Sequence, residues 1–412
     1  MEFIADFHIH SKYSRATSRD MDIEHIAEWA RLKGITLMGT GDFTHHLWLE
    51  ELKANLEDLG NGLFKFGDVY FILTAEISSI YSKAGRGYRI HNIIIAPSFK
   101  SVDKINNTLS RWGNLASDGR PILGIDAAEL ARIVFGIDEA SVLVPAHVWT
   151  PWFSVFGSMS GFDRIEDCFE EQTVNIFALE TGLSSDPAMN WRWSALDRFS
   201  LISNSDSHSP SRIGREANVF NCELNYKDII DSLKKKDKTR FLYTIEFFPE
   251  EGKYHFDGHR NCGVRFSPSQ TNEHKGICPK CGRRVTIGVM NRVEQLADRP
   301  LGDKPNQAIP YKNLIPLDEI IAEAKGLNKG SKAVAAEYRM AISKFGSEFG
   351  ILLRASKEDL RNNLPKRIAE GVLRVRERQV VVQPGFDGEY GKISTFSEED
   401  RGIKNEEQLS LF

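Results

Sequence analysis

The chain has only five cysteines in 412 residues, an odd number, and three of them fall between 262 and 281. So few cysteines exclude a disulfide scaffold, and their clustering points to a metal site. Long apolar runs are also missing. The longest, such as Ile93–Pro97 and Val142–Ala146, are strand-sized, whereas a membrane span needs about 18–20 residues. No basic leader followed by an apolar stretch is present: MEFIADFHIHS places an acid at position 2 and polar residues soon after. A dominant charge of one sign is lacking too. The net charge is −4, and 41% apolar with 27% charged residues is the composition of a globular chain rather than a disordered one. A cytoplasmic protein without a membrane partner is expected.

The charge is unevenly spread. Residues 1–250 hold 26 Lys and Arg against 35 Asp and Glu, whereas residues 251–392 hold 25 against 17. A carboxylate-rich front half followed by a basic block suits a metal-binding unit joined to a phosphate-binding one. The pattern divides the chain into a strand–helix unit (1–247), a cysteine-bearing module (248–300), a helical region (301–392) and a flexible tail (393–412). In the first unit, short apolar strands at Phe3–Phe7, Thr36–Gly39, Val69–Thr74, Ile90–Ile95, Pro121–Gly124, Val142–Val144, Ile176–Leu179 and Leu201–Ser203 alternate with amphipathic stretches such as Asp22–Leu32 and Ala127–Phe135. Such alternation predicts an α/β parallel sheet, open or closed into a barrel.

Imidazoles and carboxylates follow these strands. His8 and His10 come after the first, at i and i+2, so both rings face the same way. Asp42, with His45 and His46 close behind, follows the second. Glu76 ends the third, His91 lies in the fourth, His147 ends Val142–Ala146, and Asp206 and His208 repeat the i, i+2 spacing. Glu180, at another strand end, is read as a group supporting these from behind. Nitrogen and oxygen donors in this number can hold two or three divalent ions, with a carboxylate bridging; nitrogen-rich ligation favours Zn²⁺, with Mn²⁺ or Mg²⁺ as alternatives. Ions so held acidify water and stabilise charge on phosphate oxygens, which matches phosphoester hydrolysis.

His8-Ile9-His10, Asp42, Glu76, His91, His147 and Ser205-Asp206-Ser207-His208 resemble the ordered motifs of the PHP (polymerase and histidinol phosphatase) phosphoesterases. The resemblance implies a distorted (β/α)7 TIM-like barrel with up to three metals. It implies one metal on His8, His10, Glu76 and Asp206, a second on Glu76, His91 and His147, and a third on His208 with a group from the Asp42–His46 segment. The family's second motif commonly has Asp-His adjacent, but here Phe43 follows Asp42, so His45 is assigned in its place. Asp206, His208 and Glu76 are the catalytic candidates.

Further on, His259-Arg-Asn-Cys262 and Cys278-Pro-Lys-Cys281 form an H-x₂-C…C-x₂-C pattern, which predicts a closed tetrahedral structural Zn²⁺ site on His259, Cys262, Cys278 and Cys281. His255 and His274 are rivals for the histidine position. Arg260, Arg265, Lys280, Arg283 and Arg284 surround it, with Phe256 and Phe266 interleaved, as in ribbons that bind nucleic acid. Gly326-Leu-Asn-Lys-Gly330-Ser331-Lys332 precedes a helix and resembles a helix-hairpin-helix phosphate grip, which places Lys332 among the DNA-binding candidates. The sequence ends in Gln408-Leu409-Ser410-Leu411-Phe412, which closely resembles the pentapeptide by which bacterial repair and replication proteins dock on the sliding clamp.

Taken together, the barrel motifs, KYHFDGHRNCGVRFSP…GICPKCGRRV and the basic helical region resemble endonuclease Q over roughly Met1 to Ile393. That resemblance implies a DNA repair endonuclease that cuts 5′ of deaminated bases (hypoxanthine, uracil, xanthine) or abasic sites and leaves a 3′-OH and a 5′-phosphate. It further implies a bacterial, nucleoid-associated protein whose partners are damaged DNA and the clamp. Extrusion of the altered base needs a pocket. Trp149, Trp152, Phe153, Trp191 and Trp193 are candidates to line it, or simply to pack. Two alternatives stand beside this reading: a phosphomonoesterase of the histidinol-phosphatase kind, and a non-catalytic DNA-binding protein recruited by the clamp.

Overall fold

In the computed structural model, which describes residues 1–397 and 399–400, a ring of seven strands surrounds a buried core. These are β1 (Glu2–Asp6), β2 (Leu37–Gly39), β3 (Val69–Lys83), β4 (Arg86–Ala96), β5 (Val142–Pro145), β6 (Ala178–Glu180) and β7 (Ser200–Ile202). β1 pairs with β2, and β2 with β3, in parallel. β3 and β4 form a long antiparallel hairpin, and β4 is antiparallel to β5. β5 reaches β6 through Val148 N–H donating to the Glu180 carbonyl at 3.0 Å, and β6 pairs in parallel with β7. The ring closes just beyond β7 and β1, where Ile9 bridges Ser207 and His10 N–H donates to the Ser207 carbonyl at 2.9 Å. The expected distorted seven-stranded α/β barrel is present.

Each of the eight expected strands has a counterpart within a few residues of its predicted ends. The third runs nine residues further than expected, to Lys83, because the hairpin turn lies at Ala84–Gly85. Several strands were not expected, among them β8 (Ala217–Asn221), antiparallel to β1, β9 (Phe241–Glu246), antiparallel to β8, and Tyr311–Asn313, which extends the sheet parallel to β9. β8 and β9 cover Phe3, Phe7 and Phe220 in a second apolar layer.

The helical region spans Leu317–Lys325, Lys332–Phe345, Lys357–Asn363 and Lys366–Arg376, all within residues 301–392. It is fastened to the barrel by a buried polar knot. Glu348 accepts from Lys33 Nζ at 2.7 Å, Tyr338 Oη at 2.7 Å and the Leu317 N–H at 3.0 Å. Glu348 and Lys33 side chains are only 4% and 3% exposed.

The expectation of a flexible tail from residue 393 is corrected for the described residues. Val381–Gln383 and Lys392–Ser394 form an antiparallel hairpin, and Phe396 is buried beneath the guanidinium groups of Arg367 and Arg374. The hairpin docks on the cysteine-bearing module: Gly385 N–H donates to the Glu250 carbonyl and Asp387 accepts from Arg260 N–H and Thr286 Oγ. Residues 408–412 lie outside the described residues.

Glu348→Ala strands the buried Lys33 ammonium, so it should cost about 3 kcal/mol, the usual effect of halving a buried ion pair. The shift of the urea unfolding midpoint measures it. A loss under about 1 kcal/mol, that of an exposed pair, would contradict the role assigned to the knot.

Candidate active site and metal centres

The C-terminal ends of the parallel ring strands deliver the ligands to one mouth, as barrels do. β1 is followed by His8 and His10, β2 by Asp42, β5 by His147 and β7 by Asp206. β4 runs the other way, so its contribution, His91, sits at its middle. There it pairs with Ser78, two residues from Glu76 on the same face of β3. Four of the residues here hold left-handed backbone although none is glycine: Asp42 (φ 48°), His147 (φ 30°), Phe153 (φ 63°) and Asp206 (φ 46°). Such conformations cost on the order of 1–3 kcal/mol each and persist where the surroundings enforce them.

Two donor sets meet at Glu76. In the first, Glu76 Oε2 lies 3.4 Å from His8 Nε2 and 3.2 Å from His10 Nε2, while Asp206 Oδ1 lies 3.0 Å from His10 Nε2 and 3.7 Å from His8 Nε2. In the second, Glu76 Oε1 lies 2.7 Å from His91 Nδ1 and 3.1 Å from His147 Nε2, and these two nitrogens are 3.3 Å apart. Tetrahedral donors about 2.1 Å from a cation are about 3.4 Å apart, so both sets have the spacing that a divalent ion requires. His8 Nε2 is buried without a hydrogen-bond partner, which is what a nitrogen reserved for a cation looks like. The residues therefore fit two cations sharing one carboxylate.

A second layer aims these donors. Glu180, fully buried, takes His8 Nδ1 at 3.0 Å and accepts from His147 N–H at 2.8 Å and Asn204 Nδ2 at 2.9 Å. Asp42 takes His10 Nδ1 at 3.0 Å and accepts from Ser11 N–H and Oγ. Carboxylates on the far ring nitrogen fix the tautomer and direct the other nitrogen at a metal.

The third expected set does not assemble among the described residues. Both oxygens of Asp42 are engaged by His10 and Ser11, His45 stacks between Tyr13 and His46, and His208 lies against His10, with ring centroids 4.5 Å apart. Asp42 thus stands behind a ligand rather than in a set with His45 and His208. His208 Nδ1 lies 2.9 Å from the Asp206 carbonyl and donates to it, which leaves Nε2 as its proton acceptor.

The electrostatics follow from burying so many acids. Burial opposes the charge on His8, His10 and His147, yet the facing carboxylates outweigh it and raise all three. Burial likewise opposes ionisation of Asp206 and Glu76. His8 and His10 hold Asp206 far below the usual range; His91, Arg120 and His8 do so for Glu76. His91 is pushed down to about 4, chiefly by burial. Burial and His10 lower His208, so it is neutral at pH 7.

The cysteine-bearing module brings together His259, Cys262, Cys278 and Cys281, whose ligand atoms all lie within 4.8 Å of one another. His259 closes the hairpin between Asp257–His259 and Val264–Phe266. Its rivals are elsewhere: His274 stacks on Phe266 and His255 is buried beside Phe256. Burial opposes the Cys278 thiolate, but the N–H groups of Lys280 and Cys281 bring it down to about 6, ready to bind a cation. Arg260, Arg265, Lys280, Arg283, Arg284 and Lys332 are all exposed. Arg265 and Lys280 donate to the carbonyls of Pro384 and Cys262, whereas the others make no ion pair among the described residues.

Two cavities open on the barrel mouth. One of about 450 Å³ is walled by His91, His147, Asp206 and Arg120; its neighbour of about 960 Å³ shares Thr150, Trp152, Phe153, Leu183 and Ser184 with it. Of the aromatic candidates, Trp152 and Phe153 line these cavities. Trp149 and Trp193 pack together with Phe156, and Trp191 packs on Tyr311. Sequence reasoning missed Arg120 and Arg215. Arg215 lines the larger cavity and donates to the Ser205 carbonyl at 2.9 Å.

Fold and site define the class, a PHP-like metal-dependent phosphoesterase with an added helical region. A family model described as the MJ0043 C-terminal domain matches residues 316–379. The chain is 35% identical over 253 residues to the MJ0043 protein of Methanocaldococcus jannaschii, covering 60% of this chain but 31% of that much longer relative. It is 27% identical to the YqxK protein of Bacillus subtilis, covering 94% and 98% of the two chains. The lesion-specific endonuclease PfuEndoQ from Pyrococcus furiosus superposes with a TM-score of 0.87 at 31% identity over 100% of both chains. An endonuclease Q in complex with a 27-mer duplex substrate with an abasic lesion at the active site gives 0.85 at 32% identity, covering 97% and 98%. The chain belongs to the endonuclease Q family.

Because His8 and His10 are raised well above their ordinary value, they carry protons at neutral pH in the ion-free protein, and a cation must displace them. Ion binding to the barrel should therefore release protons, and its affinity should rise with pH and fall as pH is lowered. Calorimetry in buffers of different ionisation enthalpy measures the release. At least one proton is expected at pH 7 when the His8–His10 set fills; none would contradict the assignment.

Proposed function

We propose that the chain is a metal-dependent DNA repair endonuclease that hydrolyses the phosphodiester 5′ of deaminated bases (hypoxanthine, uracil or xanthine) or of abasic sites, leaving a 3′-OH and a 5′-phosphate. The observation that carries this reading is the pair of donor sets joined by Glu76, whose members His91, His147 and Asp206 line a cavity of about 450 Å³. Zn²⁺ is proposed for the cysteine site and for the barrel, with Mn²⁺ or Mg²⁺ as alternatives in the barrel. Bound in the barrel sets, divalent cations supply Lewis acidity that makes hydroxide available at neutral pH and neutralises phosphate charge.

The chain's own residues do the rest. Glu76, Asp206 and the four imidazoles bind and space the cations, and Glu180 and Asp42 orient His8 and His10. His208 is placed to accept or return a proton at Nε2. An extruded base fits the neighbouring cavity of about 960 Å³, near the upper end of the ~300–1,000 Å³ typical of small-molecule sites. Trp152, Phe153, Phe247 and Tyr254 offer it stacking faces, and Arg215 offers donors to the carbonyl that deamination creates. Arg260, Arg283, Arg284 and Lys332 are proposed to hold backbone phosphates, with a salt dependence that grows with the number of contacts. A phosphomonoesterase would have no use for this surface, and a non-catalytic binder would have none for intact donor sets.

Asp206→Ala should lower single-turnover nicking of an end-labelled inosine- or abasic-site duplex by at least about 10³-fold, since both the donor set and charge stabilisation are broken. Binding of the same duplex should persist; near-parent nicking would refute the assignment. The C-terminal segment Gln408–Phe412 is proposed to dock on a bacterial-type sliding clamp. Deleting it should remove binding to purified clamp while sparing cleavage of short oligonucleotides, and unchanged clamp binding would refute the proposal.

A further inference from the structure

Arg120 lies on the loop between the 3-10 turn Leu115–Ser117 and the two-residue strand Ile122–Leu123. That strand pairs in parallel with β3 at Ser78 and Ser79, and the Pro121 carbonyl accepts from Ser78 N–H at 3.0 Å. The loop is thus pinned to the strand that carries Glu76. On its other side Gly119 N–H donates to the Tyr13 carbonyl at 3.2 Å, and Thr44 Oγ1 donates to the Gly119 carbonyl at 3.3 Å. A Cβ at Gly119 would stand 2.2 Å from Asp42 Oδ2 and 2.4 Å from Ser14 Oγ, so only glycine lets the loop pass this close to the donors. Backbone contacts on both sides fix where the Arg120 side chain starts.

Its guanidinium meets Glu76 Oε2 at 3.1 Å. Among the described residues no other Lys or Arg pairs with Glu76, Asp206 or Asp42. A guanidinium carries five N–H donors in a rigid fork. One is engaged here, and the rest have no acceptor among the described residues. The side chain is 31% exposed in the wall of the 450 Å³ cavity, facing the same space as His91, His147 and Asp206. A buried structural arginine would have its donors satisfied. This one presents spare donors in a planar array that suits phosphate oxygens.

We infer that Arg120 is a catalytic residue that binds the non-bridging oxygens of the scissile phosphate and stabilises the charge that gathers on them during hydrolysis. The inference rests on the phosphodiesterase reading above. In the reaction the oxygen of water bonds to phosphorus, the P–O3′ bond breaks, and the 3′ oxygen leaves with the electron pair and takes up a proton. Arg120 transfers no proton; it supplies fixed positive charge and two parallel donors.

The test compares Arg120→Gln, Arg120→Lys and Arg120→Ala with the parent protein, all loaded with the same cation. It reads cations per chain by elemental analysis, the dissociation constant for inorganic phosphate by calorimetry, and single-turnover cleavage of an abasic-site duplex. Cation content should match the parent in all three variants. Arg120→Gln should cut about 100-fold more slowly, the usual cost of losing one preorganised donor to transition-state charge. Its phosphate affinity should fall at least about tenfold, as for a lost charge-assisted pair. Arg120→Lys should lie between, and added guanidinium should restore part of the Arg120→Ala rate. Cation loss in step with activity would reduce Arg120 to a prop for Glu76 and overturn the inference, as would parent-like rates and phosphate affinity. If the parent cuts no duplex, the endonuclease reading fails instead, and the phosphate affinities alone decide for or against Arg120.

Discussion

Sharing Glu76 between two donor sets is the constraint on which the rest of the site depends. One carboxylate, fully buried, faces His8, His10 and Asp206 with one oxygen and His91 and His147 with the other. To place a side chain so, β3 must bring Glu76 to the ring mouth, and β4 must return beside it so that His91 lands on the same face. A purely parallel barrel would deliver ligands only at strand ends. The antiparallel hairpin is what brings a donor from mid-strand and so lets one carboxylate serve both sides.

The price of concentrating acids here is met by imidazoles and by backbone. In the ion-free protein three histidines are raised because carboxylates face them, and on His8 and His10 protons stand where a cation belongs. The left-handed conformation of His147 is held by its N–H donating to Glu180 on the neighbouring strand, and that of Phe153 by its N–H donating to Ser160 Oγ. The cysteine module and the helical region stand beside this mouth rather than within it. They add walls to the larger cavity through Tyr254, His255 and Lys329, and exposed cations around it. Chemistry and recognition are thereby built from different segments of one chain.

Much of the site was legible because its signals are local. A strand puts i and i+2 on one side, so His8 with His10 is visible in three letters, and two knuckles of C-x₂-C type are visible in four. His259, Cys262, Cys278 and Cys281 come together for that reason. What was not legible depends on long-range geometry. Arg120 sits on a loop without periodicity whose position is set by Gly119 packing on Asp42. The hairpin at 381–394, divided in the sequence between the helical region and the tail, was missed because its partners, Glu250, Arg260 and Thr286, lie over 90 residues away. His45 was drawn into the donor list by its neighbours in sequence, but the turn after β2 stacks it on Tyr13 instead.

The central claim is that one carboxylate holds two cations, and counting ions in Glu76→Gln against the parent tests it most directly. Elemental analysis of the parent after loading should find two barrel ions beside the cysteine-bound zinc. Removing the charge and one oxygen donor at position 76 should empty both barrel sets together while the zinc stays. A variant that keeps either barrel ion at parental affinity would contradict the shared-carboxylate account.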